Sequence, residues 1–264
     1  MYLQRSILLA ASMTIVAGCA TQKPRTDDPW EPFNRKMFSF NDGLDRHVIR
    51  PVATGYKKVT SDGVRTGVGN FFANLKMPIT IANDVLQLHV GQAGKSVARF
   101  AVNTTVGVLG VFDPATHWSL PASENDFGLT LARWNVHEGP YLVLPIMGGG
   151  SLRDVAGKPV DSFFDPLSYF ANSQDNIAVG YAPTAFSMVS SRAAYLDKEA
   201  LLEGAFDKYA LVRDIYRQKR ANQISKGSIS SNALEGNQLS DEEMKRILDQ
   251  QREYKDQKKN INQF

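Results

Sequence analysis

Residues 28–44 are DPWEPFNRKMFSFNDGL, and this stretch predicts the first helix of the folded body. Asp28 is a good N-cap, Pro29 suits the first helical position, and Glu31 completes a capping-box pattern. Apolar side chains then recur at the spacing of one helix face, at Phe33, Met37, Phe40 and Leu44. We therefore expect a helix whose apolar stripe packs against the rest of the body.

Further helical segments are predicted along the chain. They lie at residues 61–75, 79–88, 91–107 and 173–217, with Pro51 ending the stretch before them and Pro183 starting or kinking the last one. No segment alternates apolar and polar residues over any length, as a half-buried strand would. The sequence thus predicts an all-α fold, and its length is most simply that of one domain.

The N-terminal 18 residues have the features of a lipoprotein leader. Arg5 supplies one charge, small residues precede Cys19, and Cys19 is the single cysteine of the chain. An apolar stretch of about 11 residues lies between them, too short for the ~20 that span a bilayer. We expect cleavage before Cys19 and acylation of its sulfur and amine. The alternative is an ordinary secreted protein that carries an unusual free thiol.

Two polar segments flank the predicted body. Residues 19–27 resemble a tether, and residues 218–264 combine a polar stretch, expected to be disordered, with a charged helix that begins at Ser240. That helix has few apolar positions, so it is either solvated or a docking element. Residues 217–264 carry 10 Lys and Arg against 7 Asp and Glu, whereas residues 19–216 carry 19 against 20. The basic excess belongs to the tail, so we expect no nucleic-acid partner.

The sequence lacks the motifs of common catalytic and metal sites. Its four histidines form neither HxxxH nor HExxH; they are His47, His89, His117 and His137. The three glycines at 148–150 lack the Lys and Ser or Thr of a phosphate-binding loop, and Ser151 lacks the second glycine of a nucleophile elbow. A triad assembled from distant residues is left open. We expect no enzyme, no metal and no cofactor.

Several separate stretches together resemble one family. They are DPWEPFNR at 28–35, FSFN at 38–41, RPVA at 50–53, NFFANL at 70–75, NDVLQ at 83–87, RFAVNT at 99–104, DFGLTL at 126–131, GPYLVLP at 139–145 and SLRD at 151–154. In this order and at this spacing they resemble the VacJ/MlaA family of outer-membrane phospholipid-transport lipoproteins, over about residues 28–215. The glycines at 148–150 depart from the family, which often has Gly-Pro there, and the charged C-terminal extension lies outside its pattern.

The resemblance implies a fold and a function. The fold would be a single helical ring-like domain with a central amphipathic channel, plus a charged C-terminal tail helix. The chain would divide into a signal peptide (1–18), a lipidated tether (19–27), a helical domain (28–217) and a tail (218–264). The protein would sit in the outer membrane, lipid-anchored on the periplasmic face. It would remove mislocalised phospholipids from the outer leaflet and pass them to a soluble periplasmic lipid carrier, maintaining lipid asymmetry, with a trimeric porin as partner.

Two other functions compete with lipid transport. One is a structural or scaffolding lipoprotein that binds a porin or another envelope partner without moving lipid. The other is an envelope hydrolase, which the missing motifs disfavour. A comparison of outer-leaflet phospholipid with and without the gene separates transport from scaffolding.

The candidate site residues combine the resemblance with local patterns. Lipidation is expected at Cys19. We expect the lipid path to include Phe38, Asn41, Tyr141, Leu142, Leu144, Ile146 and Met147. Gly148, Gly149 and Gly150 would then be the hinge of a gate, because glycine gives the backbone unusual freedom. The alternative for this loop is a helix C-cap followed by a turn.

Overall fold

The computed structural model describes residues 28–226 and 230–231, so the predicted leader, Cys19 and most of the predicted tail lie outside the described residues. Most of the described chain is helical, which confirms the all-α fold class. The helices are α1 (Glu31–Leu44), α2 (Arg50–Val59), α3 (Asp62–Leu75), α4 (Met77–Leu86), α5 (Val90–Thr105), α6 (Pro114–His117), α7 (Phe127–Arg133), α8 (Leu152–Asp161), α9 (Pro166–Ser173), α10 (Ile177–Tyr195), α11 (Glu199–Glu203) and α12 (Lys208–Lys226). The ring with a central channel stays a prediction.

Two short antiparallel strand pairs accompany the helices. β1 (Ala122–Ser123) pairs with β4 (Ser230–Ser231), and β2 (Tyr141–Leu144) pairs with β3 (Gly148–Ser151). The second pair corrects the alternative of a helix C-cap before the glycines, because the residues that precede them form a strand. The sequence hides this strand because all four residues of β2 are apolar, although only Tyr141 and Val143 are buried.

The beginning of α1 differs from the predicted cap. The helix begins at Glu31 after Trp30, and no side chain caps it. Asp28 is instead fully buried and holds other parts of the chain, as described below. Asp and Ser do cap other helices as the rule predicts: Ser61 caps α3, Asp126 caps α7 and Ser151 caps α8.

Pro51 does not end the helical stretch that contains it. The five residues Asp45–Ile49 form a π-helical turn between α1 and α2, and Pro51 lies in the first turn of α2. Proline has no N–H to donate, and its ring crowds the carbonyl four residues earlier. A π turn is wider than an α turn, so it lets the chain remain helical up to the proline.

The C-terminal part of the body is divided differently from the prediction. Residues 173–217 do not form one or two helices, because a 3₁₀ turn (Leu196–Lys198) and α11 separate α10 from α12. Pro183 lies inside α10. Helix α12 continues to Lys226, so the predicted boundary at residue 217 falls inside a continuous helix, and the first residues of the stretch expected to be disordered are helical.

The helices pack in an order that places the β2–β3 hairpin between three of them. α1 lies against β2, whereas α8 and α12 lie against β3. Elsewhere α4 packs against α5, α7 against α8, and α10 against α2, α3 and α9. The hairpin is therefore attached to both ends of the described body.

Candidate functional site: a polar interior under an apolar surface

The described body places polar groups inside. Among its described residues, buried side chains are more often polar or charged than apolar, and four arginines are buried: Arg99, Arg153, Arg213 and Arg220. Buried charges are rare in ordinary cores unless they are paired, because removing a charge from water is costly. The interior of this body is therefore held by hydrogen bonds and ion pairs as well as by apolar packing.

The surface shows the opposite pattern. Many large apolar side chains are exposed, among them Leu88 at 84%, Val90 at 78% and Ile146 at 58%. Large exposed apolar patches mark contact with a membrane or with another protein. In the part of the chain that the structure describes, no helix is long and apolar enough to cross a membrane.

Two asparagines of α1 hold the free edge of strand β2. The Asn34 amide donates to the carbonyl oxygen of Tyr141 at 2.8 Å and accepts from the Val143 N–H at 2.9 Å. Asn41 repeats this three residues further along, at the end of β2 and in the turn, where its amide donates to the Leu144 carbonyl at 2.9 Å and accepts from the Ile146 N–H at 2.8 Å. Asn34 and Asn41 are seven residues apart, so they share one face of the helix. Their side chains replace the strand that β2 lacks on this side.

Asp28 joins the N-terminus of the body to α12. Its carboxylate accepts from the Asn34 amide at 3.1 Å, from the Arg213 guanidinium at 3.2 Å and from the Tyr209 hydroxyl. Burial, together with the Asp28 charge, raises the pKa of Tyr141 to about 12. Tyr141 and Tyr209 also form the centre of a small apolar cluster with Val143.

A chain of buried polar side chains connects α4, α5 and α7. Asp84 of α4 accepts from the Ser96 hydroxyl at 2.7 Å and from the Asn125 amide at 2.8 Å. From Asn125 the hydrogen bonds continue through side chains that share partners, in the order Gln87, Thr130, Asn83 and Asp161. The side-chain donors of this chain thus find protein acceptors in place of water, whereas the side-chain oxygen of Gln87 is buried without a hydrogen-bond partner among the described residues.

Asp161 ends this chain in an unusual electrostatic state. Its carboxylate accepts from the Asn83 amide at 2.8 Å and from the Phe127 N–H at 2.9 Å. These hydrogen bonds favour the charged form, but burial outweighs them and, with the nearby Asp126 charge, raises the pKa of Asp161 to about 6. The carboxylate is therefore costly to keep ionised at neutral pH.

A second buried cluster lies where α5 meets α6. Arg99 pairs with Asp113 at 2.6 Å and donates to the Leu120 carbonyl at 2.6 Å. Asn103 donates to the other Asp113 oxygen at 2.9 Å and accepts from the Ala115 N–H at 3.1 Å. Arg99 and Asn103 thus anchor α5 to the residues beyond its end.

Arg220 of α12 joins α7 and α8. Its guanidinium pairs with both Asp126 oxygens, at 2.6 and 2.7 Å, and lies 2.6 Å from the Asp154 carboxylate. Burial raises the pKa of Asp154, but the Arg220 charge and the Tyr216 hydroxyl outweigh it and hold that pKa below its usual value. Gly128 leaves room for this arrangement, since a Cβ there would lie 2.5 Å from Arg220.

These networks resemble a scaffold more than a reaction centre. The carboxylates described above are bound by arginines, amides and hydroxyls. Among the described residues, no group of three or more His, Cys, Asp or Glu is placed to hold a metal ion. The arrangement holds the helices to one another through paired polar groups in the interior.

The structure corrects the predicted faces of α1. Phe40, expected in the packing stripe, is 53% exposed. Phe38, expected to face lipid or a channel wall, packs edge-on against the Tyr209 ring with centroids 5.8 Å apart, and Met37 touches the same cluster. Asn41, expected beside Phe38, is used to hold β2. The prediction was wrong here because it took the most regular apolar stripe as the buried one.

The other predicted path residues lie on the hairpin. Tyr141 is buried, Leu142 and Leu144 are partly exposed, and Ile146 and Met147 are exposed at its turn. The structure brings Asn41 to Leu144 and Ile146, and Phe38 to the Tyr141 cluster. Their lining of a lipid path stays a prediction, and Cys19 lies outside the described residues.

The three glycines have separate local roles. Gly148 has a φ of +77°, a backbone that favours glycine, and a Cβ at Gly149 would lie 1.9 Å from the Tyr141 hydroxyl. Gly150 has ordinary space around it. Two of the glycines are therefore required by the folded hairpin itself, and the hinge of a gate stays a prediction.

The inward face of α12 is a part of the site that was not predicted from the sequence. Five of its residues contact or approach the body at alternating spacings of four and three: Tyr209, Arg213, Tyr216, Arg220 and Gln223. This is the spacing of a helix that packs along its whole length. The signal was present in the sequence, but polar residue types concealed it.

Comparisons with known proteins agree on one family. A profile of the MlaA lipoprotein family matches residues 26–223. A protein of Escherichia coli K12 named "Intermembrane phospholipid transport system lipoprotein MlaA" is 35% identical over 80% of this chain and 85% of its own length. A Haemophilus influenzae protein of the same name is 29% identical over 84% and 92%, respectively. An uncharacterised Rickettsia felis protein is 38% identical over 73% and 76%.

A solved structure has the same fold. It comes from work described as "Structural basis for maintenance of bacterial outer membrane lipid asymmetry". Its TM-score is 0.64 at 34% identity, with 73% of this chain and 96% of that chain covered.

Proposed function

The chain belongs to the MlaA lipoprotein family, and from this premise we propose that it removes mislocalised phospholipids from the outer leaflet of the outer membrane and passes them to a soluble periplasmic carrier. It thereby maintains the lipid asymmetry of the membrane. The protein is a component of phospholipid transport and not an enzyme. Its anchor is a lipid on Cys19, joined to the body through residues 19–27.

The observation that supports this proposal most is the placement of side chains, with polar ones buried and large apolar ones exposed. A phospholipid has apolar tails and a charged headgroup, and it needs a route that serves both. Exposed apolar side chains suit an environment of lipid tails. Most of the buried polar groups are paired within the protein, so the body holds together through its polar interior while its large apolar side chains are left for the outside.

The hairpin turn is the proposed entry to the lipid path. Ile146 and Met147 are exposed at its tip, while Asn41 fixes the backbone at Ile146. The side chains of the tip can therefore contact lipid tails while the backbone at Ile146 stays attached to α1. A movement of the hairpin about Gly148, Gly149 and Gly150 would gate the path, as the sequence predicts.

Two proteins complete the proposed route. A trimeric porin holds the body in the outer membrane, and the soluble carrier collects the lipid from the periplasmic face. Passive movement of lipid through the body needs no reacting group.

The test compares outer-leaflet phospholipid in cells with the gene, without it, and with the gene restored. We expect outer-leaflet phospholipid to rise on deletion and to return to the original amount on restoration. Restoration with Cys19→Ala should fail or be greatly reduced, and a clickable fatty acid should label the unsubstituted chain only. Unchanged outer-leaflet phospholipid on deletion, together with co-purification of the chain and a porin from cells that have the gene, would support a scaffolding lipoprotein instead.

A further inference from the structure

Lys158 of α8 is a partly buried cation whose ammonium group forms no hydrogen bond or ion pair with the described residues. The four buried arginines differ from it, because each has a carboxylate oxygen within 3.2 Å. A charge that loses part of its water without gaining a partner costs free energy. Ionisable groups in such an environment are concentrated at functional sites. Lys158 is therefore a candidate contact for a ligand.

The packing of α8 against α7 explains why this ammonium group is partly buried. Gly157, the residue before Lys158, lies so close to α7 that a Cβ there would be 2.8 Å from the Gly128 nitrogen. Lys158 thus leaves α8 beside the contact between the two helices. Burial lowers the pKa of Lys158, and the charges of Asp154 and Asp126 oppose this effect. The lysine therefore lies in the field of the two carboxylates that Arg220 binds.

Asp154 and Asp126 do not serve as ion-pair partners of Lys158, because Arg220 already binds both. Its guanidinium lies 2.6 Å from each of the two carboxylates. Asp154 also pairs with Arg153 at 3.2 Å. An aspartate four residues before a lysine is ordinarily a favourable partner on a helix. The missing pair between Asp154 and Lys158 is thus a consequence of competition from the two arginines.

The remaining carboxylate of α8, that of Asp161, is also bound by other groups. It accepts from the Asn83 amide at 2.8 Å and from the Phe127 N–H at 2.9 Å, and it forms no ion pair with Lys158. The carboxylates around Lys158 are therefore occupied. An anion that arrives from outside can balance the charge of this lysine.

The chemistry of Lys158 and of its helix favours a phosphodiester that carries apolar tails. An ammonium group donates up to three hydrogen bonds, and lysine binds phosphate oxygens as a compact charge. On a neighbouring face of α8, three apolar residues are exposed at spacings of four and three: Leu152, Ala156 and Pro159. A ligand that joins a phosphate to acyl chains can use the cation and this apolar stripe together, whereas free phosphate uses the cation alone.

From these observations we propose that Lys158 binds the phosphodiester of a phospholipid headgroup, with its ammonium group donating to the phosphate oxygens. This proposal rests on the proposed function for the arrival of phospholipid, and it deepens that function by assigning a contact for the phosphate. A lipid headgroup and inorganic phosphate offer the same oxyanion, so the test compares both.

The test follows the lysine amines of the full chain by NMR in a maltoside detergent, which contains no phosphate. The lysines are methylated with isotope-labelled formaldehyde, which leaves their charge in place, and the K158R chain identifies the Lys158 signal. Three compounds are added in turn: dihexanoylphosphatidylglycerol, dihexanoylglycerol, which has the same chains without phosphate, and inorganic phosphate. The exposed Lys58 of α2, identified by K58R, is the control.

We expect the phospholipid to move the midpoint of the Lys158 titration upward by about one pH unit, because a bound oxyanion stabilises the protonated amine. Dihexanoylglycerol should leave this midpoint unchanged, and the Lys58 midpoint should not move with any of the three compounds. An equal movement with inorganic phosphate would assign the site to free phosphate and overturn the lipid source. No movement with the phospholipid, or an equal movement of Lys58, would overturn the proposal.

The amount of phospholipid that co-purifies with each chain gives a second measurement. Lys158→Gln should lower this amount about threefold, whereas Lys158→Arg, which keeps the charge, and Lys58→Gln should not change it. The midpoint of thermal unfolding of Lys158→Gln in detergent should not fall, because the lysine has no partner to lose. A lower midpoint, or an equal loss of lipid from Lys158→Arg, would show a structural role instead.

These outcomes are distinct from failure of the proposed function, because the titration needs no lipid movement. Unchanged outer-leaflet phospholipid on deletion, together with the expected Lys158 titration, would leave the phosphate contact and remove the transport. An unresponsive Lys158, together with raised outer-leaflet phospholipid on deletion, would do the reverse.

Discussion

Helices α5 and α12 both bury polar side chains, but their outward faces differ. The inward side of α5 carries Arg99 and Asn103, and that of α12 carries Arg213 and Arg220. Outward, α5 shows valines and small residues, whereas α12 shows Gln218 and Ser225 beside Ala221 and Ile224. The comparison teaches that buried polarity is a property of this interior as a whole. The outward face, and not the buried one, distinguishes a helix placed against lipid from one that also tolerates water.

The largest effect is expected from α12. Arg220→Met removes a buried cation and leaves Asp126 and Asp154 without their main partner. Breaking a buried ion pair costs about 3–5 kcal/mol. Denaturant unfolding in detergent should show this loss, and Gln218→Met, on the exposed side of the same helix, should change stability by less than about 0.5 kcal/mol. Equal stabilities of the two variants would mean that α12 does not fasten α7 and α8.

A charge on the outward face of α5 should act through the membrane instead of the fold. Val97→Asp places a carboxylate on an exposed position, so unfolding in detergent should change little. In the bilayer it should cost about 2.5–3.5 kcal/mol, the scale for Asp at the centre of a membrane helix. Flotation with vesicles measures the difference, and Gln218→Asp is its counterpart on α12. Equal losses of vesicle binding for Val97→Asp and Gln218→Asp would contradict the difference between the two outward faces.

The protonation of Asp161 tests the electrostatics of the polar interior. Its pKa is raised from 3.8 to about 6 on folding, so the folded chain binds the proton more tightly than the unfolded chain. Stability should therefore rise as the pH falls from above 6 toward 4. Asp161→Asn should stabilise the chain at pH 7.5 by about 1–2 kcal/mol, a value reduced for partial exposure.

Unfolding at pH 7.5, 6 and 4.5 checks the Asp161 prediction. The free energy of unfolding that Asp161→Asn gains over the unsubstituted chain should decrease steadily as the pH falls. The reason is that a protonated Asp161 carboxyl carries no buried charge. An advantage that is constant with pH would mean that the substitution acts through packing and not through charge.

The smallest effects are expected on α1, where neighbouring residues have exchanged their predicted roles. Asn41→Ala leaves the Leu144 carbonyl and the Ile146 N–H without their partner and should cost about 1 kcal/mol. Phe40→Ala alters an exposed side chain and should cost less than about 0.5 kcal/mol. Thermal unfolding of both variants in detergent gives the order, and a larger loss for Phe40→Ala would restore the packing stripe of the sequence analysis.

The sequence predicts part of the helices from local signals: Ser61 begins α3 as expected, and the all-α class is confirmed. Asp28 and Pro51 do not mark the boundaries predicted for them. The family resemblance, carried by many short stretches together, is also confirmed by the family profile. These successes rest on local chemistry and on conspicuous residue patterns.

The buried face of each helix could not be predicted in the same way. Ordinary rules assign apolar residues to the interior, and this body places Asn34, Arg99 and Arg220 there. This rule therefore led to two wrong predictions: that Phe40 is buried, and that the chain after residue 217, which is the end of α12, belongs to a tail. The β2 strand was hidden for a related reason, since both of its faces are apolar.

The most direct test of the central claim is the composition of the protein as it is purified from the envelope. The chain should leave the membrane only in detergent, and mass spectrometry should find phospholipid and a porin trimer with it. A chain that enters the aqueous fraction without detergent, free of lipid, would contradict an apolar exterior in the membrane and a polar interior that serves phospholipid.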